Sequence, residues 1–151
     1  MPRNLLPVSH RTQTQPADCL AACVAMVLDY LGRSTPYEQL LRFLDVKPWG
    51  APAYNVQRLT ALGLSVLYTE GTLQALEQHI QQGHPCIVFV HTEPLPYWSE
   101  NTNHAVVLIG FDEENAYLND PFFPEAPQIV SLGDFELAWL ARDYMYALIT
   151  E

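Results

Sequence analysis

The longest uninterrupted apolar run in this chain, residues 19–28, is ten residues long, about half of what a bilayer span needs. Leu20, Val24, Val27, Leu28 and Leu31 recur through it at helical spacing, so it reads as a core helix. Asp18 stands at its cap position and Gly32 at its end. Thr35-Pro36-Tyr37-Glu38 has the form of a capping box with proline at the first helical position and predicts a second helix to about Leu44. Residues 1–12 read as an extended arm. A third helix is expected over 54–62, closed by Gly63, then a strand over 64–69 and a helix over 72–82, closed by Gly83. Residues 85–91 are β-branched and aromatic without a break, as in a strand buried on both faces. Residues 103–111 and 116–120 suit a hairpin, 128–131 a short strand, 131–142 a helix and 144–149 a closing strand. Helices first and strands later favour an α+β fold.

The bulk numbers bound the function. At 151 residues, 49% hydrophobic and 16% charged, the chain is expected to be one globular domain spanning 1–151. No extended apolar segment follows the first methionine, which argues against a signal peptide and for a cytoplasmic location. Three cysteines, an odd number without paired spacing, suit reduced thiols. The net charge of −10 is uneven: residues 59–151 hold thirteen acidic side chains and one basic, Arg142, whereas residues 1–58 hold six basic and four acidic. Such a chain repels phosphate backbones, so no nucleic-acid partner is expected. The charge favours solubility and could attract a basic peptide.

Three residues carry the candidate chemistry. Cys19 opens the apolar helix, and a helix N-terminus favours the negative charge of a thiolate, the nucleophilic form. His104 opens a later strand, where a ring can protrude from the sheet edge. Asp120 precedes Pro121 and is therefore expected to be extended and near a strand end, placed to orient the imidazole. Cys23, one turn further into the helix, and Cys86, in an apolar strand, read as packing residues. Gln13 or Gln15 could supply an amide to an oxyanion. His79, His84, Cys86 and His91 match no zinc spacing, so neither metal nor cofactor is expected. The loop over 92–102 precedes His104, which places Tyr97 or Trp98 against substrate or over the site.

His104 and Asp120 must also share a sheet face. Side chains alternate along a strand, so the hairpin loop must be odd in length or a bulge must act in its place. A loop over 112–114 pairs Phe111 with Asn115 and Val106 with Asp120, leaving His104 a diagonal neighbour of Asp120.

These motifs resemble the C39 peptidases, which are papain-like cysteine peptidases. The resemblance runs over about residues 10–149. It is carried by Gln13-x5-Cys19 with Asp18 before the thiol, Cys23, Ala25-Met26, Tyr30-x-Gly32, Gly83-x-Pro85-x-Ile87-Val88, His104-x-Val106-Val107-x-Ile109-Gly110, Asp120-Pro121 and Phe135-x3-Trp139. It implies a papain-like fold, with N-terminal helices presenting the nucleophile at a helix N-terminus against an antiparallel sheet. It also implies Cys19 as nucleophile, His104 as base, Asp120 as orienting acid and Gln13 as the oxyanion glutamine, since Gln15 lies too near the thiol. Many members cut leader peptides after a double glycine during bacterial export of bacteriocins. A peptide or protein substrate is therefore implied, such as a small precursor encoded nearby, for a free-standing domain without a transporter. The family usually has Gly after the nucleophile. Leu20 stands there instead and would reshape the substrate cleft. Other acyl chemistry on the same thiol (isopeptide cleavage, deamidation, transfer) and a non-catalytic peptide-binding domain are the competing readings.

Overall fold

A computed structural model gives the structure of residues 5–151; residues 1–4 of the expected arm lie outside the described residues. The elements run α1 (Cys19–Tyr30), α2 (Tyr37–Phe43), a 3₁₀ helix (Ala53–Leu62), β1 (Ser65–Glu70), α3 (Leu73–Gln81), β2 (Cys86–His91), β3 (Asn103–Phe111), β4 (Asn115–Asn119), β5 (Gln128–Ser131), α4 (Leu132–Leu140) and β6 (Met145–Thr150). The strands form one sheet in the order β1-β6-β2-β3-β4-β5, and every pairing is antiparallel. This is the expected α+β architecture.

Helices cover both faces of the sheet. Ile87, Phe89, Ala105, Val107 and Ile109 point to the side of α1, α2 and the 3₁₀ helix. Cys86, Val88, Val90, Val106 and Leu108 point to α3 and α4, among Leu76, Phe135, Ala138 and Trp139. Two apolar faces need an unbroken apolar run, which is why β2 lacks the alternation of a half-solvated strand. Helix α1 is apolar all round and is buried from Leu20 to Leu28. Each of Val24, Met26 and Leu28 contributes about 1.5–3 kcal/mol by leaving water, and this burial fixes where Cys19 stands.

The helix starts depart from local expectation. Asp18 occupies the cap position of α1, but its side chain makes no capping bond. Its carboxylate instead accepts from Thr14 Oγ1 at 2.9 Å, the Gln15 amide at 2.8 Å and the Tyr37 hydroxyl. Burial and this carboxylate push the Tyr37 hydroxyl well above its ordinary pKa. Helix α2 has no capping box: Pro36 takes the cap position, and Thr35 Oγ1 donates to the Arg33 carbonyl. The third helix is 3₁₀, not α, since Val56, Leu59 and Leu62 face the core at a three-residue interval.

The arm over residues 6–13 runs along β3, β4 and the segment after it, with Val8 in the core shared with α1. The Leu6 amide donates to the Ile109 carbonyl at 2.9 Å and the Gln13 amide to the Pro121 carbonyl at 2.8 Å. Asn119 Nδ2 reaches the Val8 carbonyl, and His10 Nε2 the Phe123 carbonyl. The arm thus ties the 119–123 segment to the loop that leads into Cys19. The β3–β4 turn is four residues wide where Phe111 pairs Ala116, and a bulge between Leu108 and Gly110 then restores the register. From Val107 opposite Asn119, one further step places Val106 against Asp120. The bulge does what an odd loop would have done.

Candidate active site

His104, Asp120 and Cys19 converge at one end of the sheet. His104 stands opposite Val90 in the β2–β3 ladder. Its Nε2 is 2.7 Å from Asp120 Oδ1, and both side chains are almost wholly buried. Cys19 at the head of α1 interacts with the same imidazole. With Nε2 committed to Asp120, Nδ1 is the ring nitrogen left for the thiol. Cys19 and His104 both line a cleft of about 850 Å³, with Leu20, Trp49, Trp98 and Phe122 among its walls.

Four donors hold the Asp120 carboxylate. Its Oδ2 accepts from the Tyr97 hydroxyl at 2.7 Å and from Trp98 Nε1 at 2.9 Å. Its Oδ1 accepts from the Phe122 amide at 3.0 Å, besides the imidazole. Burial works against the charged carboxylate, but these donors outweigh it and lower its pKa. Burial also works against charge on His104. Asp120 and Cys19 overcome it and raise the imidazole from 6.5 to about 9. A charged imidazolium is thus the neutral-pH form. Trp98 sits edge-on to the His104 ring at 4.8 Å and stacks on Phe122 at 4.7 Å, which shields the pair from water.

The two loop aromatics have separate placements. Tyr97 is not among the cleft-lining residues; it stands behind Asp120, against Phe123 at 5.2 Å. Trp98 lines the cleft with its ring and holds Asp120 with its N–H. Thr92 fixes this loop: its amide donates to the Thr102 carbonyl, and its hydroxyl accepts from the Thr102 amide. Leu20 is part of the cleft wall although only 4% exposed. Gln13 Nε2 donates to the Gln15 and Pro16 carbonyls at 2.8 and 2.9 Å, and its Oε1 is buried without a hydrogen-bond partner. Sequence reasoning passed over Phe122, although the Phe122-Phe123 pair directly follows Asp120-Pro121. His79, His84, Cys86 and His91 do not converge: among the described residues no three His, Cys, Asp or Glu side chains gather as a metal site. Cys23 and Cys86 are buried, and desolvation pushes both thiols up, Cys86 to about 12.

The raised imidazole makes stability depend on pH. Its folded-state value lies above 6.5, so its contribution is complete below about 6.5 and is lost as pH rises through about 9. That amounts to about 3 kcal/mol. The lowered Asp120 contributes above its ordinary 3.8, and this part is lost as pH falls below that value. Urea unfolding between these limits should show the alkaline decline in the wild type and a much smaller one in His104→Gln. Equal declines in the two proteins would mean that the imidazole carries no extra proton in the folded state.

The sequence pattern of the Peptidase_C39 like family matches residues 5–146. No curated protein matches the chain. Among solved structures, a C39-like peptidase from Bacillus anthracis superposes with a TM-score of 0.80 at 17% identity, over 100% of this chain and 98% of the other. A double glycine motif protease from an AMS/PCAT transporter, solved with its leader peptide, gives 0.76 at 23% identity over 99% of each chain. The peptidase domain of Streptococcus ComA, a bi-functional ABC transporter involved in quorum sensing, gives 0.77 at 18% identity, over 95% of this chain and 98% of the other. At such identities the structures establish the fold alone, which is that of C39 peptidase domains. The match of sequence pattern, over nearly the whole described length, establishes that the chain belongs to the Peptidase_C39 like family.

Proposed function

We propose that this protein is a cysteine peptidase that cuts a leader or partner polypeptide after small residues, with Cys19 as nucleophile. The observation that carries the reading is the buried His104–Asp120 pair at 2.7 Å, interacting with a thiol at a helix N-terminus. In this reading the Cys19 thiolate attacks the peptide carbonyl carbon, and the electron pair moves to the carbonyl oxygen. His104 Nδ1–H then protonates the leaving amine as the C–N bond breaks, leaving a thioester. Nδ1 next takes a proton from water, whose oxygen attacks the thioester. Thiolate and imidazolium are restored and the carboxylic acid product departs. Asp120 keeps the ring in the orientation that both transfers need. Leu20 beside the nucleophile, with Trp98 and Phe122 also in the wall, suits a substrate with small side chains at the scissile bond. The leader peptide bound to the transporter protease supports the same class.

The oxyanion would be held by free first-turn amides of α1 and by Gln13. The Gln13 amide nitrogen faces two loop carbonyls, so this role requires it to turn on substrate binding. Gln13→Ala should then lower kcat by about 10²–10³ with little change in KM, whereas Gln15→Ala should be close to neutral. Equal effects would remove Gln13 from the mechanism.

The test of the function is a peptide library with a central Gly-Gly, read by mass spectrometry. Cleavage on the C-terminal side of small residues, abolished by iodoacetamide, is expected. An intact library together with rapid labelling of Cys19 would point to other acyl chemistry, and an inert Cys19 to a binding domain.

A further inference from the structure

The cleft runs against the charge of the molecule. The protein carries −10, yet three of its seven Lys and Arg side chains, Lys47, Arg58 and Arg142, line this groove. Two carboxylates outside the catalytic set line it too, Asp45 and Glu100. Lys47 neutralises Asp45 at 3.0 Å. Arg58 and Arg142 have no carboxylate within ion-pair distance among the described residues.

Arg142 is the more telling of the two. It is the sole Lys or Arg in the last 93 positions, among thirteen Asp and Glu, and it lies in the cleft. It is half-buried, and its hydrogen bond to the Val90 carbonyl is long, at 3.5 Å. A guanidinium partly removed from water and left without an anion has unused donors. Val90 is the ladder partner of His104, so Arg142 lies against the strand next to the catalytic imidazole. The backbone that presents it is strained. Asp143 and Tyr144 both have positive φ, 59° and 57°, and the Met145 amide closes the turn on the Arg142 carbonyl at 3.2 Å. Tight turns of this hand ordinarily use Asn-Gly. Side chains larger than glycine pay a conformational penalty there, and strain of this kind gathers at functional sites.

We propose that Arg142, assisted by Arg58, selects a peptide with an acidic side chain close to the scissile bond. The proposal deepens the peptidase reading by naming the charge of its substrate. It opposes what net charge alone implies, since a protein of −10 would by itself draw basic peptides.

The probes are fluorescein-labelled short peptides around a central Gly-Gly, identical except that one position at a time carries Glu or its neutral isostere Gln. Binding is followed by anisotropy on Cys19→Ala, which keeps the groove and cannot turn over. Glu in at least one position should tighten binding about tenfold, the worth of a charge-assisted contact at a half-buried site. The preference should disappear in the double variant with Arg142→Gln and survive in part with Arg142→Lys. It should also shrink at about 0.5 M salt. No preference for Glu at any position, absence of binding included, overturns the proposal, as does a preference that survives Arg142→Gln. Wild-type hydrolysis of the same peptides separates this from the peptidase reading. Selective binding without cleavage sinks only the peptidase, and cleavage blind to Glu sinks only the role of Arg142.

Discussion

Cys19→Ala should reduce peptide hydrolysis by about 10⁴-fold or more, to the rate that binding and the oxyanion donors sustain without a nucleophile. Cys23→Ser and Cys86→Ser should act differently. Both thiols are fully buried, and desolvation holds them in the protonated form. Replacing either puts a hydroxyl into an apolar site, which costs about 1–3 kcal/mol of stability and leaves turnover per folded molecule near wild type. Iodoacetamide followed by peptide mapping gives an independent reading. Cys19 is the thiol that lines the cleft and should be alkylated first. If Cys86 is modified faster, or if Cys23→Ser abolishes turnover in folded protein, the nucleophile has been misassigned.

The second large effect is expected at Asp120. From its place in the sequence, Asn at this position should keep part of the activity, because an amide oxygen can still orient the ring. The hydrogen bonds observed remove that expectation. All four partners of the carboxylate (the imidazole, the Phe122 amide, Tyr97 O–H and Trp98 N–H) are donors. An amide can offer its oxygen to only one pair. If the oxygen serves His104 and Phe122, the new NH₂ faces the indole N–H, which cannot reverse its polarity. Asp120→Asn should therefore lower kcat/KM by about 10³-fold or more and cost about 1–3 kcal/mol through the unsatisfied buried donor. Adding Trp98→Phe should recover part of the stability without restoring the rate. Asp120→Ala should lose more stability still, because every donor is then orphaned. In any variant active enough to titrate, the alkaline limb of kcat/KM should move below about 9, since the Asp120 carboxylate does most to raise the imidazole. An Asp120→Asn enzyme within tenfold of wild type, with an unmoved limb, would rule out this account of Asp120.

Much of this architecture was legible locally. An apolar run at helical spacing predicted α1, and an unbroken β-branched stretch predicted the buried strand β2, because burial imposes a period that propensity and pattern record. The types and order of Cys19, His104 and Asp120 were legible too, since each sits at the end of an element whose bounds the pattern marks. The pattern also showed that His104 and Asp120 need a common face, and it named a bulge as one device for this. Whether the turn or a bulge would supply it was a matter of ladder geometry, and the structure placed the bulge between Leu108 and Gly110.

Local pattern was therefore enough for the fold class and for the helix that carries Cys19 at its head, and it marked His104 and Asp120 as its candidate partners. Tertiary structure alone decided how they are held. Tyr97 and Trp98 reach Asp120 across 23 and 22 residues of chain, and Tyr37 takes the Asp18 carboxylate from a neighbouring helix. The place of Arg142 in the cleft, half-buried and with no carboxylate in ion-pair reach among the described residues, likewise depends on the packing of α4 and the turn after it beside β2. Local sequence encodes backbone preference and apolar period. The partner of a buried polar group depends on which distant segment packing brings within about 3 Å.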